Sequence, residues 1–211
     1  MTEPVNAPER LSIIRGLPLN EEEGIGALTL GGYLKEVTDR FGAREAALLR
    51  NGDSIERWSY DELWSRSLAV ARALLASGIG KGTRVGILMT NRLEFLSSAF
   101  GTALAGGVAT AMSTFSTAAE LEVLLRNSGC SVLLLECEVL KRDFALVLAE
   151  LEPKIATETP GQLQSTRFPF LRYIATVDRE QGSGVLEGWS EFLSRGEIVA
   201  PELVESTMSS V

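Results

Sequence analysis

One stretch decides the fold: residues 95–119 read FLSSAFGTALAGGVATAMSTFSTAA, without a single charged side chain. A membrane span needs about 20 predominantly apolar residues, and the serines, threonines and glycines scattered through this stretch argue against one. We therefore predict a buried helix followed by a strand in the interior of a parallel sheet. Both faces of such a sheet are covered, so its strands lose the polar–apolar alternation of half-exposed strands.

Short apolar runs of strand length alternate with helix-like segments on both sides of this stretch. Two of the helical segments begin with a capping box, formed by Ser59 with Glu62 and by Thr117 with Glu120. Alternating strands and helices imply parallel pairing through crossover helices. We therefore predict an α/β fold, namely a doubly wound, mostly parallel sheet with helices on both faces. Its strands are expected at residues 85–89, 108–112, 132–135 and 171–177.

The segment before the sheet is predicted to hold a helix and a small β-hairpin. Thr29 is placed to cap a helix that ends at Gly42, and Asn51-Gly52-Asp53 between two short apolar runs is a strong hairpin signal. We divide the chain into an N-terminal arm (1–27), an α/β subdomain (28–195) and a tail (196–211). A short helix is expected at 189–193, at the end of the subdomain. From Gly196 the pattern fades, and residues 206–211 are expected to be a polar, frayed end.

The composition excludes several classes of function. The formal net charge is −8 and the pI is about 4.8, which argues against a nucleic-acid-binding domain with a basic face. The chain has no histidine, so Ser-His-Asp and Cys-His catalysis and histidine-containing metal sites are excluded within it. No secretory leader is recognisable at the start. We predict a cytoplasmic protein in which Cys130 and Cys137 are free thiols.

In an open parallel sheet, ligands bind beyond the carboxyl ends of the strands, near the point where strand order reverses. Five residues at the predicted strand ends are therefore candidates for lining a substrate pocket: Asn91, Met112, Ser113, Thr114 and Phe115. Two of them have plainer interpretations. Asn91 also fits the N-cap of the following helix, and Phe115 also fits ordinary packing.

The other polar groups at these strand ends do not form a nucleophile–base pair. Glu136 is expected to be a solvated strand-end residue, and Thr117 is explained by its capping role. Cys137 is expected to be a packed, inert thiol, because no basic residue directly before it would lower its pKa. The sequence therefore predicts no catalytic residue, no cofactor-binding residue and no metal ligand in the chain.

Several segments resemble, in their order and spacing, the motifs of the adenylate-forming enzymes, which include acyl-CoA synthetases, peptide-synthetase adenylation domains and luciferases. The resemblance covers roughly residues 28–177. Its segments are Trp58-Ser59-Tyr60-Asp61-Glu62-Leu63, Gly78-Ile79-Gly80-Lys81-Gly82-Thr83-Arg84-Val85, Asn91-Arg92-Leu93-Glu94-Phe95, Ala103-Leu104-Ala105-Gly106-Gly107-Val108, Thr117-Ala118-Ala119-Glu120-Leu121 and Ser128-Gly129-Cys130.

The resemblance implies an enzyme that uses ATP and magnesium to join a carboxylate to AMP and then passes the acyl group to coenzyme A. Two departures from the family stand out. The chain has Ala111-Met112-Ser113-Thr114 where the family usually has Pro-Leu-Asn-Pro. The phosphate loop, the later nucleotide- and magnesium-binding motifs and the small C-terminal domain of the family do not occur in these 211 residues.

We therefore interpret the chain as the N-terminal portion of an acid–CoA ligase that is inactive by itself and binds no cofactor alone. Its expected partners are a carboxylic acid and either the remainder of the enzyme or a second copy of the chain, with no nucleic acid and no membrane span. The alternative is a non-enzymatic binding or interaction module built on the same scaffold.

Overall fold

A computed structural model describes residues 28–210, together with Pro18, Glu21 and Gly26. Most of the predicted N-terminal arm (1–27) lies outside the described residues. The helices are α1 (Leu30–Phe41), α2 (Tyr60–Ala76), α3 (Leu93–Leu104), α4 (Ala118–Ser128), α5 (Phe144–Leu151), α6 (Trp189–Arg195) and α7 (Pro201–Ser209), with 3-10 helices at Pro153–Ala156 and Gly196–Ile198. The strands are β1 (Glu45–Asn51), β2 (Ser54–Ser59), β3 (Arg84–Leu88), β4 (Val108–Ala111), β5 (Val132–Leu135), β6 (Glu138–Val139), β7 (Arg142–Asp143), β8 (Tyr173–Thr176) and β9 (Leu186–Gly188).

The central sheet has five parallel strands in the order β4-β3-β5-β8-β9. Along β3, Val85 and Ile87 face an apolar layer that contains residues of α2, α6 and α7, whereas Leu88 faces a layer that contains residues of α4 and α5. Both faces of the strand are therefore buried, which explains its continuous apolar character. The predicted doubly wound parallel sheet is confirmed, with β9 as a strand that was not predicted.

Strand β4 corrects the expectation for residues 95–119. Helix α3 contributes several buried residues, as predicted, but β4 lies at the edge of the sheet, where Val108 is 48% exposed and Ala109 and Ala111 are also exposed. The short side chains of Ala and Thr are tolerated on a surface as well as in a core. The absence of charge therefore did not establish burial of the strand.

Local signals in the N-terminal half are confirmed. The Thr29 hydroxyl accepts a hydrogen bond from the Gly32 N–H at 3.1 Å and caps α1. Both predicted capping boxes are formed at the starts of α2 and α4. Strands β1 and β2 pair antiparallel around the predicted turn, and the hairpin packs through Trp58 on residues of α1, α2 and α3.

Residues 196–198 and 201–209 form helices rather than a polar tail. Helix α7 buries Val204 in the same apolar layer as α2. Arg72 of α2 donates hydrogen bonds to the carbonyl oxygens of Val199 at 2.6 Å and Glu197 at 3.2 Å, which fixes the connection between α6 and α7. The prediction of a frayed end at 206–211 is wrong for residues 206–209, because a surface helix needs apolar residues on one face only. The proposed domain boundaries themselves stay a prediction.

Both cysteines are buried and free. Burial raises the pKa of the Cys137 thiol to about 11, which agrees with the inert thiol that was predicted. The cytoplasmic location stays a prediction. No helix in the described part of the chain combines the length and the apolar character that a membrane crossing requires.

Candidate functional site

The carboxyl ends of β3, β4 and β5 meet at one edge of the sheet. The chain runs from β3 outward to β4 and then returns to the other side of β3 as β5, so strand order reverses between β3 and β5. Loops that leave neighbouring strands in opposite directions open a crevice at such a point. Here the crevice is a cleft of about 470 Å³, which is within the size range of small-molecule sites.

All five predicted pocket residues line this switch-point cleft. Met112 is buried in its wall, whereas Phe115 is 83% exposed. Asn91 does not cap α3, because the N-cap position belongs to Arg92 and has no side-chain capping bond. The capping interpretation of Asn91 is therefore wrong. The lining residues that were not among the candidates are Met89, Thr90, Glu136, Glu138, Val139 and Leu140.

Glu136 joins the ends of the two central strands at this cleft. Its carboxylate accepts hydrogen bonds from the N–H and the hydroxyl of Thr90 at 3.0 and 2.6 Å, and it pairs with Arg92 at 3.1 Å. Only 13% of the side chain is exposed, so the expectation of a solvated strand-end residue is wrong. Because both oxygens already have donor partners, Glu136 holds the loops after β3 and β5 together and is not poised as a general base.

A short antiparallel hairpin, β6–β7, forms another wall of the cleft, and the sequence did not predict it. Val139 pairs with Arg142, and Leu140-Lys141 form the two-residue turn between them. Leu140 has a φ of 58° and is the single non-glycine residue with positive φ in the part of the chain that the structure describes. Its side chain is 91% exposed.

The base of the hairpin is anchored by Asp178, just beyond β8. The two oxygens of its carboxylate accept hydrogen bonds from the N–H groups of Cys137 and Glu138, each at 2.8 Å, and one of them also accepts from the Thr176 hydroxyl. The neighbouring Arg179 pairs with Asp143 at 2.8 Å on the other hairpin strand. The hairpin is thereby fixed to the end of β8, the strand that pairs with β5.

We expect Asp178→Asn to loosen the hairpin and to cost about 1 kcal/mol of stability, because one backbone N–H then faces an amide NH₂ instead of an acceptor. The measurement is hydrogen exchange at Cys137 and Glu138, which should accelerate, with Asp53→Asn in the exposed β1–β2 turn as the matched control. Unchanged exchange at both amides would contradict the anchoring role.

The anchor also has a pH dependence with a defined sign. Burial raises the pKa of Asp178, but the hydrogen bonds from Thr176, Cys137 and Glu138 outweigh it and hold the pKa below the usual 3.8. The stabilising contribution is therefore complete above pH 3.8 and is lost as the pH falls below that value. Exchange at the two hairpin amides should accelerate in this acidic window in the wild-type chain.

Acidic side chains lie at the starts of the helices that follow the strands of the site. A helix N-terminus is the usual backbone site for phosphate, but α3, α4 and α5 carry Glu94, Glu120 and Asp143 in or just before their first turns. Hydrogen bonds from the Thr117 backbone and hydroxyl lower the pKa of Glu120, which keeps this carboxylate charged. Among the described residues, no group of three or more acidic or cysteine side chains is arranged to hold a metal ion.

A sequence model of the AMP-binding enzyme family matches residues 34–185. The chain is similar to the acyl-CoA ligase sidI of Aspergillus fumigatus, with 32% identity over 151 residues that cover 72% of this chain and 25% of the relative. It is similar to the human mitochondrial medium-chain acyl-CoA ligase ACSF2, with 27% identity over 168 residues that cover 80% of this chain and 26% of the relative. YngI of Bacillus subtilis, whose name assigns it provisionally to the acyl-CoA synthetases, is 29% identical over 183 residues (87% and 33%).

Solved structures show the same fold at lower sequence identity. The anthranilate CoA ligase AuaEII, crystallised with anthranoyl-AMP, superposes with a TM-score of 0.63 at 19% identity, covering 79% of this chain and 28% of that one. Coronafacic acid ligase from Pectobacterium brasiliense gives 0.63 at 18% identity, covering 82% and 31%. The chain spans about a quarter to a third of the length of the curated relatives it matches. With a family match over most of its length, this chain belongs to the AMP-binding enzyme family.

Proposed function

We propose that this chain supplies one wall of the acid-binding site of an ATP-dependent acid–CoA ligase, which activates a carboxylate as acyl-AMP and transfers the acyl group to coenzyme A. The observation that carries the proposal is the cleft at the strand-order switch, lined by apolar and short polar side chains. Family membership and the acyl-CoA ligase names of the relatives support the reaction class.

The charges of the cleft suggest how an acid would lie in it. Glu136 and Glu138 both line the wall, and a substrate carboxylate close to them would be repelled. The carboxylate therefore points away from these residues, and the rest of the acid contacts the apolar side chains of Met112 and Phe115. In this arrangement the described residues bind and orient the acid and exclude water from one side of it, and they perform no bond-making step.

We assign the contacts to ATP, magnesium and coenzyme A to residues other than 28–210. The acidic residues at the starts of α3, α4 and α5 support this assignment. When bound, ATP supplies the AMP that activates the acid and coenzyme A supplies the thiol that accepts the acyl group.

An ATP–pyrophosphate exchange assay tests the proposal. We expect the protein encoded by the whole reading frame to catalyse exchange with at least one acid from a panel of fatty and aromatic acids. Residues 1–211 alone should give no exchange above a heat-denatured control, because the proposal assigns no phosphate contact to the described residues. Exchange by residues 1–211 alone would contradict the assignment of the phosphate contacts.

One observation favours a second candidate, a non-enzymatic interaction module. The outer edge of β4 is unpaired among the described strands, and Val108 on this strand is 48% exposed. Exposed strand edges can pair with another chain, so a homodimer or a contact with other parts of a longer protein would use this edge. Absence of exchange by the whole-frame protein with every acid in the panel would favour this candidate.

A further inference from the structure

Leu140 occupies a position that disfavours leucine on two counts. It lies in a two-residue hairpin turn at a φ of 58°, and turns with positive φ are normally occupied by Gly, Asn or Asp. Its side chain is 91% exposed and is absent from the apolar clusters of the described core. Leucine therefore costs the folded state free energy here, through backbone strain, without any burial that offsets it. Such a cost at the rim of a cleft indicates a functional role.

Phe115 is a second exposed apolar side chain that lines the switch-point cleft. It is 83% exposed and follows β4, so it reaches the cleft from the opposite loop. Phe115 and Leu140 line both the switch-point cleft and an adjoining open cleft of about 710 Å³. Val139, at the base of the turn, lines both clefts as well and belongs to the buried core. Two exposed apolar side chains thus line the same two adjoining clefts.

The charged residues that line the two clefts have opposite signs. Glu136 and Glu138 line the switch-point cleft, whereas Lys141 and Arg142 line the adjoining open cleft. A ligand with an apolar body and one negative charge is complementary to this arrangement when its charged end lies in the adjoining open cleft, near Lys141 and Arg142. Arg92 pairs with both Glu136 and Glu94, so these three side chains keep one net negative charge. An acid with a second carboxylate at its far end would bring that group against Glu136 and would be repelled there.

We propose that Phe115 and Leu140 form an apolar clamp that holds the hydrocarbon part of a monocarboxylic acid, and that Glu136 and Glu138 exclude dicarboxylic acids. The inference rests on the proposed function, since it names the substrate class of the same cleft. The clamp binds the chain of the acid between the loop after β4 and the β6–β7 turn, with the acid's carboxylate on the side of Lys141. Leucine at the strained turn supplies one half of the clamp, which glycine would remove.

Isothermal titration of residues 1–211 with decanoate and with decanedioate tests the clamp. We expect decanoate to bind and decanedioate to bind at least tenfold more weakly. Leu140→Gly should weaken decanoate binding at least fivefold while the melting temperature stays equal or rises, because glycine adopts positive φ without strain. Phe115→Ala should weaken binding to a similar extent. Leu203→Ala, which removes another exposed leucine on α7 away from the cleft, should leave binding unchanged.

The clamp is overturned if the wild-type chain does not bind decanoate, if both cleft variants bind it as the wild type does, or if decanedioate binds equally well. A fall in binding that is accompanied by a fall in melting temperature for Leu140→Gly would show a structural role and would also overturn it. The ATP–pyrophosphate exchange assay tests the proposed ligase activity independently of the clamp. If the whole-frame protein catalyses exchange and Leu140→Gly does not change the KM for the acid, the ligase proposal stands and the clamp is rejected. If decanoate binds but no acid supports exchange, the clamp stands and the ligase proposal is rejected.

Discussion

Replacing Arg195 by methionine lowers the free energy of unfolding by about 3–5 kcal/mol at neutral pH. Glu187 of β9 is 1% exposed and pairs with Arg195 of α6. Its second oxygen has no hydrogen-bond partner in the described part of the chain. Methionine keeps much of the apolar stem but leaves a buried carboxylate without a counter-charge. Urea denaturation of residues 1–211 followed by circular dichroism measures the loss.

The deficit of this variant should shrink as the pH is lowered. Burial raises the pKa of Glu187 above the usual 4.5, and nearby Glu191 adds to it, although the hydrogen bond and the charge of Arg195 oppose the shift. The folded state therefore holds the proton more tightly than the unfolded state, so the contribution of this group to stability decreases as the pH rises above 4.5. Loss of Arg195 strengthens this effect, and the variant approaches the wild type toward pH 4.5.

A double variant separates the buried charge from the lost packing. Glu187→Gln combined with Arg195→Met should recover most of the stability, because no charge is then left in the interior. A residual deficit is expected, since Arg195 also donates to the Ser77 hydroxyl at 2.9 Å and stacks on the Tyr173 ring at 4.5 Å. A single-variant deficit below about 1 kcal/mol, or one that does not change with pH, would contradict the role of the pair.

Replacing Gly101 by valine is expected to destabilise the protein by about 3 kcal/mol, the upper part of the range for overpacked sites. A Cβ atom at this position of α3 would lie 2.7 Å from Cβ of Val70 and 2.8 Å from the carbonyl oxygen of Ser67, both on α2. The second contact is with backbone, so side-chain rotation cannot relieve it and the two helices must separate. Thermal unfolding of the purified chain measures the change.

Gly80 supplies the matched control. A Cβ atom built there meets no other atom within 4 Å, and the backbone has no positive φ. Gly80→Ala should therefore change stability by no more than about 0.5 kcal/mol. If Gly101→Val unfolds at the same temperature as this control, the close approach of α2 and α3 does not contribute to the fold as the structure indicates.

Signals that act within a few residues were read correctly from the sequence. The capping boxes of α2 and α4 and the turn between β1 and β2 each depend on residues within a short segment, so the type of residue at each position was sufficient. The parallel sheet followed from the alternation of apolar runs with helices. The five pocket candidates lie around one cleft because parallel strands end at the same edge.

Features that depend on distant partners could not be read in this way. The environment of Glu136 is set by Thr90 and Arg92, more than 40 residues earlier in the chain. The strands of the β6–β7 hairpin have two residues each and are too short to show an alternation pattern. Its turn has Leu140 at a positive φ, where a glycine would have indicated a turn. In β9 a charged residue, Glu187, interrupts the apolar run that would have predicted a strand. Its burial depends on Arg195, which belongs to the next helix.

The strand order has a consequence for synthesis on the ribosome. Strand β5 pairs with β3, not with β4, which precedes it in the chain. While a nascent chain is being extended from residue 112 to residue 135, the apolar flank of β3 that β5 will occupy has no strand beside it. Unpaired apolar edges of this kind favour association between chains. Translation pauses that leave β3 without β5 beside it would therefore lower the yield of folded protein.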